Sequence, residues 1–281
     1  MAAMTPPPSS RLRIVAPVPR WQQIADHLRA QILSGRYPAG QPLPSEEALA
    51  AEFGVSRPTV RQGIATLTTE GLVTVRRPYG TIVRDPHARP GLIERRGLTD
   101  TPDGFTEPGP PAYTDIGEPV YLRLDATVAQ ADLLDIEPGQ PMATREVLQQ
   151  TGDGGPRRAV RLSVPFSVAA DLHTPWRRDG RLPTPTDLYT WLAHHGHRPT
   201  FTEHIRARMP VGDETHALHV AGGVPLLVIT RLTHTPQRPV ALEEIRMPAD
   251  QTELAYPLPL THTRKTTKPA GSRTSATGRT R

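Results

Sequence analysis

Along the first third of the chain, apolar side chains recur at helical spacing. Trp21, Ile24, Leu28 and Ile32 share one face of a helix that Ser34-Gly35 ends. Ala48, Leu49 and Phe53 mark a shorter helix from Glu46 to Phe53, with Ser45 as its cap and Gly54 as its stop. Val60, Ile64 and Leu67, at i, i+4 and i+7, predict a third helix over about Arg57 to Glu70, closed by Gly71. Ser56 is placed to cap it, its hydroxyl accepting from a first-turn N–H. Pro58 is tolerated there, because first-turn N–H groups lack carbonyl partners in any case. The period then drops to that of strands: Leu72 to Arg76 and Thr81 to Arg84 flank Arg77-Pro78-Tyr79-Gly80. Three helices and a hairpin make a winged helix-turn-helix. The third helix turns Arg57, Thr59 and Arg61 away from its apolar face, an arrangement suited to the DNA major groove.

Downstream the pattern is that of strands with short helices between them. Val120, Leu122, Leu124, Ala126 and Val128 alternate with polar neighbours, and Ala129 to Leu134 reads as a short helix before Pro138-Gly139. Strands over Met142 to Gln150 and Arg158 to Val164 flank the turn Gly152-Asp153-Gly154-Gly155. Thr186 is expected to cap a helix carrying Leu188, Trp191 and Leu192, and Gly196 to end it. Alternation returns at Phe201 to Met209, a short helix follows near Asp213 to Val220, and strands Leu226 to His234 and Val240 to Met247 complete the series. The fold class is therefore α+β. Residues 1–19 read as a disordered arm, 20–84 as the head, 85–113 as a Pro/Gly linker, 114–260 as a second domain and 261–281 as a basic disordered tail.

Charge sharpens this division. The chain of 281 residues carries a formal +5. Residues 20–84 hold 8 basic and 5 acidic groups, residues 85–260 hold 17 and 23, and the last 21 residues hold 6 basic groups and no acid. The large middle is thus mildly acidic, and DNA affinity is expected from the head, with the tails as accessories. No apolar run approaches 18 residues and the N-terminus lacks a signal-peptide core, so a cytoplasmic, nucleoid-associated protein without membrane contact is expected. The absence of cysteine fits a reducing compartment.

The run Ile24-Ala25, Leu28-Arg29, Ile32, Ser34-Gly35, Pro38-Ala39-Gly40, Leu43-Pro44-Ser45-Glu46, Leu49-Ala50, Phe53-Gly54-Val55-Ser56-Arg57, Thr59-Val60-Arg61, Leu67 and Glu70-Gly71-Leu72-Val73 closely resembles the DNA-binding domain of GntR-family transcription regulators. The resemblance implies a homodimer on a short palindromic operator of double-stranded DNA. It places Ser45, Ser56, Arg57, Thr59 and Arg61 on the helix-turn-helix contact surface, and Arg77, Tyr79 and Gly80 on the wing. Glu47 and Pro78 depart from the family pattern at a phosphate-contacting position and at the wing tip; either alters operator preference more readily than fold.

The middle resembles the UTRA effector-binding domain of the HutC-like branch of that family. The residues that carry it are Ile136, Gly139-Gln140-Pro141 and Arg145; Asp187-Leu188-Tyr189 and Leu192; Glu203-His204-Ile205 and Ala207; and Pro225-Leu226-Leu227, Arg231 and Arg238-Pro239-Val240. The resemblance implies a chorismate-lyase-like antiparallel sheet that senses a small molecule and carries dimer contacts. Arg145 and Arg231 suit a carboxylate or phosphate, and Tyr189, Glu203 and Glu244 suit further hydrogen bonds; a structural role is an equal alternative for the two arginines and the stronger one for the other three. Relatives that sense phosphosugars tend to carry Arg-x-Arg and Ser-Leu-Tyr where this chain has Val147 and Asp187, so a sugar phosphate is not the expected inducer.

His194-His195-Gly196-His197 diverge at a helix end and have no cysteine beside them, so no metal and no cofactor is expected. Both lysines, Lys265 and Lys268, lie in the tail, which excludes a pocket Schiff base, and no nucleophile–base pair stands out. The chain is read as a non-enzymatic, ligand-responsive DNA-binding regulator of the repressor type. The alternatives are a ligand-independent plasmid-maintenance or architectural DNA protein, and a lyase-like enzyme fused to a DNA-binding head.

Overall fold

The computed structural model describes residues 18–76, 78–85, 92–108, 112–152 and 154–258. Most of the N-terminal arm, Arg77 of the wing and the basic tail lie outside them. The head consists of α1 (Arg20–Leu33), α2 (Glu46–Phe53), α3 (Arg57–Thr69), β1 (Val73–Arg76) and β2 (Gly80–Val83). Ile24, Leu28, Ile32, Leu49, Val60, Ile64 and Leu67, the periodic positions of the sequence, meet in one core with Leu43, Val73 and Val83. Gly63 lets α1 and α3 approach closely: a Cβ there would stand 3.0 Å from the Trp21 carbonyl oxygen. Arg29 reaches from α1 to Glu70 at the end of α3, with bonds of 2.8 and 2.6 Å.

The body is built on a six-stranded antiparallel sheet ordered β6-β7-β8-β11-β10-β9. Its strands are β6 (Tyr113–Asp125), β7 (Pro141–Thr151), β8 (Arg157–Pro165), β9 (Thr200–Arg208), β10 (Leu226–His234) and β11 (Pro239–Pro248). One face is covered by α5 (Phe166–Asp171) and α6 (Pro185–His194), whose Val168, Leu188, Tyr189 and Leu192 pack on Ala143, Leu162 and Ala241. The other face takes α4 (Val128–Leu134) at one end, through Ala131 and Leu134 on Met142, Leu232 and Leu242. At the opposite end Leu218, Val220 and Val224, next to α7 (Glu214–Ala217), pack on Leu226 and Val228. The cap of α6 is Thr184, whose hydroxyl accepts from the Asp187 N–H, and not Thr186: Pro185 takes the first helical position and sets the start two residues earlier.

The stretch read as a linker is ordered over 92–108 and belongs to the body. Its β3 (Leu92–Arg95) pairs in parallel with β12 (Thr252–Ala255), and β4 (Thr99–Thr101) and β5 (Gly104–Thr106) form a small hairpin. The hairpin seats on α6. Gly104, at φ 120°, lies so close to Thr190 that a Cβ would be 2.4 Å from its hydroxyl oxygen, and Phe105 stacks edge-on against Tyr189 and Phe201. Prolines and glycines on both sides disguise a short alternation, Leu92, Glu94, Arg96, that the sheet recruits.

Head and body also touch through the end of α3. The Gly222-Gly223 turn before β10 meets Thr68, and a Cβ on Gly223 would fall 2.1 Å from the Thr68 carbonyl oxygen. Arg84, just past β2, pairs with Asp250 at 3.0 Å. Gly223 has φ +76°, so alanine there is strained by both backbone and contact. Gly223→Ala is expected to lower the unfolding free energy by about 1–3 kcal/mol, read as a lower urea midpoint; an unchanged midpoint would contradict the contact.

Candidate nucleic-acid interface and effector site

The first three of the expected DNA contacts are set by local chain chemistry. Ser45 caps α2, its Oγ accepting from the Ala48 N–H at 3.1 Å, and Gly54 ends α2 in the left-handed conformation, φ 60°. The chain then turns through Val55 and Ser56 into α3. The Ser56 hydroxyl does not make the expected cap bond; it pairs with the Thr59 hydroxyl at 2.9 Å. With Pro58 in the first turn, one candidate donor is missing, and the two hydroxyls satisfy each other. Arg57 is exposed, and Arg61 is exposed but already engaged: its Nε and Nη2 donate to Glu46 of α2 at 3.1 and 2.7 Å. Those bonds hold the Glu46 carboxyl below its ordinary range, with the Arg57 charge adding to the effect. Exposed pairs of this kind are weak and exchange readily with water or phosphate. On the wing, Tyr79 is exposed and Gly80 adopts φ 91°, while Arg77 falls outside the described residues.

In the body, strand register decides which candidates meet. Arg145, Leu162, Glu243, Arg231 and Glu203 are successive cross-strand partners on β7, β8, β11, β10 and β9, so all five project from the face that carries α6. Arg231 is the hub. It donates to Glu203 at 2.8 Å, to Glu243 at 3.0 Å and to Glu107 of the ordered linker at 3.2 Å. Tyr189, fully buried on α6, donates its hydroxyl to Glu243 at 2.8 Å. Arg96 inserts from the end of β3 and bonds Glu94 at 2.7 Å and Glu203 at 2.5 Å. Arg158 bonds Glu94 at 2.9 Å while its guanidinium lies over the Tyr113 ring, 3.7 Å from the centroid.

Burial works against the charge on Arg96 and Arg231, but the surrounding carboxylates raise both pKa values above the usual guanidinium range. Burial likewise pushes Glu203 up, and the Arg96 hydrogen bond with the charges of Arg96 and Arg231 brings it below the ordinary carboxylate range. Tyr256 donates to Glu203 at 2.9 Å, and burial with that bond pushes its phenol up to about 12. The array is therefore densely paired, and the shifts of Arg96, Arg231 and Glu203 all favour their charged forms.

Two candidates stand apart. Arg145 shares the face but is separated from Glu243 by Leu162, and its partner is Asp115 of β6, at 3.5 Å. Glu244 is not in the site, because neighbours along a strand point to opposite faces. It joins Arg206 at 3.2 Å and Arg246 at 3.5 Å in a second network that includes Glu146, Glu214 and Arg208. Glu94, Arg96, Glu107, Tyr113, Arg158, Glu243 and Tyr256 were not singled out in the sequence. The nearest signal was the alternation Leu92-Glu94-Arg96, which mimics one strand face.

Beside the array is a cavity of about 340 Å³, lined among others by Glu94, Phe105, Glu107, Tyr113, Gln149 and Arg158. A larger cleft, about 1380 Å³, separates head from body between the wing strands and the turn before β10. His195 stacks on Trp191 at 4.1 Å, and among the described residues no three His, Asp or Glu side chains converge as metal ligands.

Comparison with known proteins decides the family. The profile of bacterial regulatory proteins, gntR family, matches residues 20–83, and that of the UTRA domain matches residues 180–253. The HTH-type transcriptional regulator Rv0792c of Mycobacterium tuberculosis is 30% identical over 221 residues, which span 78% of this chain and 77% of that protein. The chain belongs to the GntR family of bacterial transcription regulators. Among other GntR relatives, the HTH-type transcriptional repressor NagR of Bacillus subtilis is 26% identical over 78% of this chain and 86% of its own length. The histidine utilization repressor of Pseudomonas putida is 24% identical over 89% and 97%. A crystal structure of a GntR-family transcriptional regulator superposes with a TM-score of 0.59 at 27% identity, covering 87% of this chain and 99% of that one. The head is thus a GntR DNA-binding domain, the body carries a UTRA effector-binding domain, and the chain is a DNA-binding regulator modulated by a small molecule. No described helix is long and apolar enough to cross a membrane.

The charge pairing sets a pH dependence. The hydrogen bonds from Arg208, opposed by burial and aided by the Val211 N–H and Arg246, lower the Glu214 pKa to about 2. A carboxyl depressed on folding adds stability that is complete above its unfolded pKa of ~4.3 and is lost as pH falls toward the folded value. Glu203 is depressed in the same sense. The body is therefore expected to lose stability below about pH 4. Arg208→Gln should move the acid-unfolding midpoint, followed by circular dichroism, to higher pH; a midpoint that stays put would contradict the assignment.

Proposed function

We propose that the chain is a homodimeric repressor whose heads, residues 20–84, read two half-sites of a palindromic operator. Its body, residues 114–260 with the ordered linker, gates that binding through an effector beside Arg231. The observation that carries this is the N-terminal turn of α3: Arg57, Thr59 and Arg61 face away from the head core, and the docked end of the helix is the other one. Arg57 or Arg61 can form a bidentate pair with guanine O6 and N7, the first-turn N–H groups can hold phosphate, and Tyr79 with Gly80 flank the minor groove or backbone from the wing. Arg61 exchanges Glu46 for the base, so Glu46 keeps it oriented until DNA arrives. Half-site centres are expected ~34–36 Å apart or at a multiple of that distance. The repressor sense follows the names of the NagR and histidine utilization relatives, and a cytoplasmic, nucleoid-associated setting follows from the DNA target.

A second copy fits the edge of the sheet. β6 is an outer strand of 13 residues that leaves Val120, Tyr121, Leu122 and Leu124 exposed, a long apolar edge of the kind that isolated domains avoid. An effector shifts the heads only by as much as it favours one dimer arrangement over the other.

Arg61→Ala is expected to weaken binding to the cognate operator by roughly 5- to 150-fold and binding to scrambled duplex by less, as measured by fluorescence anisotropy. Equal losses on both would reduce Arg61 to a backbone contact. Leu122→Asp should convert the dimer to monomer in size-exclusion chromatography with light scattering, and a variant that remains dimeric would move the interface elsewhere.

A further inference from the structure

We propose that the effector is a small organic carboxylate that takes the place of the Glu107 side chain. The exchange would release the ordered segment joining the head to the sheet. The inference rests on the reading above, that the Arg231 site gates the head, and adds the ligand's chemistry and what it displaces.

Glu107 is itself a carboxylate bound by guanidinium groups. Its oxygens lie 3.2 Å from Arg231, 3.7 Å from Arg158 and 3.9 Å from Arg96. The other carboxylates of the array are held more closely. Glu94, Glu203 and Glu243 each accept at 3.0 Å or less, and their side chains are 5%, 14% and 3% exposed, against 30% for Glu107. Glu107 also borders the 340 Å³ cavity, together with the less exposed Glu94 and with Arg158, while Arg231 and Glu243 are not in its lining. Of the four acids it is the one that can leave without stranding a buried charge: it rotates to water, whereas withdrawing Arg96 or Arg231 would break bonds at 1–2% exposure.

The donors that Glu107 leaves on Arg231 and Arg158, together with the charge already present, select the replacement. Without Glu107, three guanidinium groups, Arg96, Arg158 and Arg231, face three carboxylates, Glu94, Glu203 and Glu243. A monocarboxylate restores the single negative charge that was lost, and its two oxygens match the guanidinium fork. A phosphate dianion brings a second charge up against buried Glu94, and a cation meets Arg158 in the cavity lining. Phe105, Pro108 and the Tyr113 ring in the cavity wall suit a planar or apolar body behind the carboxylate.

Loss of Glu107 reaches the head because of where the residue sits. It follows β5 directly, and its bonds to the arginines close the hairpin over α6, whose other attachments are Gly104 on Thr190 and Phe105 against Tyr189 and Phe201. The same segment runs back through β3 toward Arg84 and the head.

The test titrates the full-length chain with benzoate, using benzylamine and inorganic phosphate as charge controls, in calorimetry on the wild type and on Glu107→Gln. Removing the resident competitor should tighten benzoate binding by about tenfold or more, with the two controls unmoved. In the wild type, saturating benzoate should also speed amide hydrogen exchange over Gly104 to Glu107, and benzamide should not; this second readout needs no variant. Equal benzoate affinity in the two proteins, no benzoate binding to Glu107→Gln, a gain for benzylamine or phosphate instead, or unchanged exchange in the wild type would each overturn the proposal. Selective binding of the wild type to promoter DNA, and its release by other metabolites, are scored separately and stand or fall with the regulator reading alone.

Discussion

Arg231 can be buried only because carboxylates from three separate segments are brought to it. Its side chain is 2% exposed and is met by Glu203 from β9, Glu243 from β11 and Glu107 from the segment ahead of β6. Removing a buried partner such as Glu243 from such a site leaves a charge in low dielectric, at about 3–5 kcal/mol, whereas the complete set is no more stabilising than a well-packed apolar core. The requirement therefore acts on geometry more than on stability. It obliges β3 and its hairpin to lie on the sheet, aligns α6 through Tyr189, and ties the chain path from head to body into the proposed effector site.

The two functional surfaces use the same residue types in opposite regimes. On the head, Arg61 and Glu46 pair in solvent, where the bond is weak and can be traded for a base or phosphate. In the body, Arg96 and Arg231 are withdrawn from water, and only their most exposed partner is free to trade. Solvent exposure, more than residue identity, separates a contact that reads from a contact that holds.

The head was legible almost to the residue, because its helices are set by local periodicity and capped by Ser45 and Gly54. The six main strands were legible from their alternation, although on β6 the alternating Val120, Leu122 and Leu124 are exposed and the helix begins at Val128, a position the alternation assigns to the strand. What escaped depended on distant partners. Leu92 to Thr106 adopts strand geometry only against β12 and α6, and its prolines and glycines read locally as linker. Glu243 rather than Glu244 faces Arg231 because of the register with β8 and β10, and a one-residue difference in parity changes the face. Arg145 shares that face, yet Leu162 intervenes, and nothing in the sequence around Arg145 reports a residue on the next strand. The Ser56 hydroxyl was drawn away by Thr59, a choice made within one helical turn that propensity does not resolve.

The contact between Gly223 and the Thr68 carbonyl makes the two halves of the molecule poor modules for grafting. A foreign head put in place of residues 20–84 would present its own final helical turn to a surface cut to fit a bare Cα and one particular carbonyl. Chimeras of this regulator with its relatives would need the turn before β10 to travel with the head, even though 138 positions of chain lie between Arg84 and Gly223.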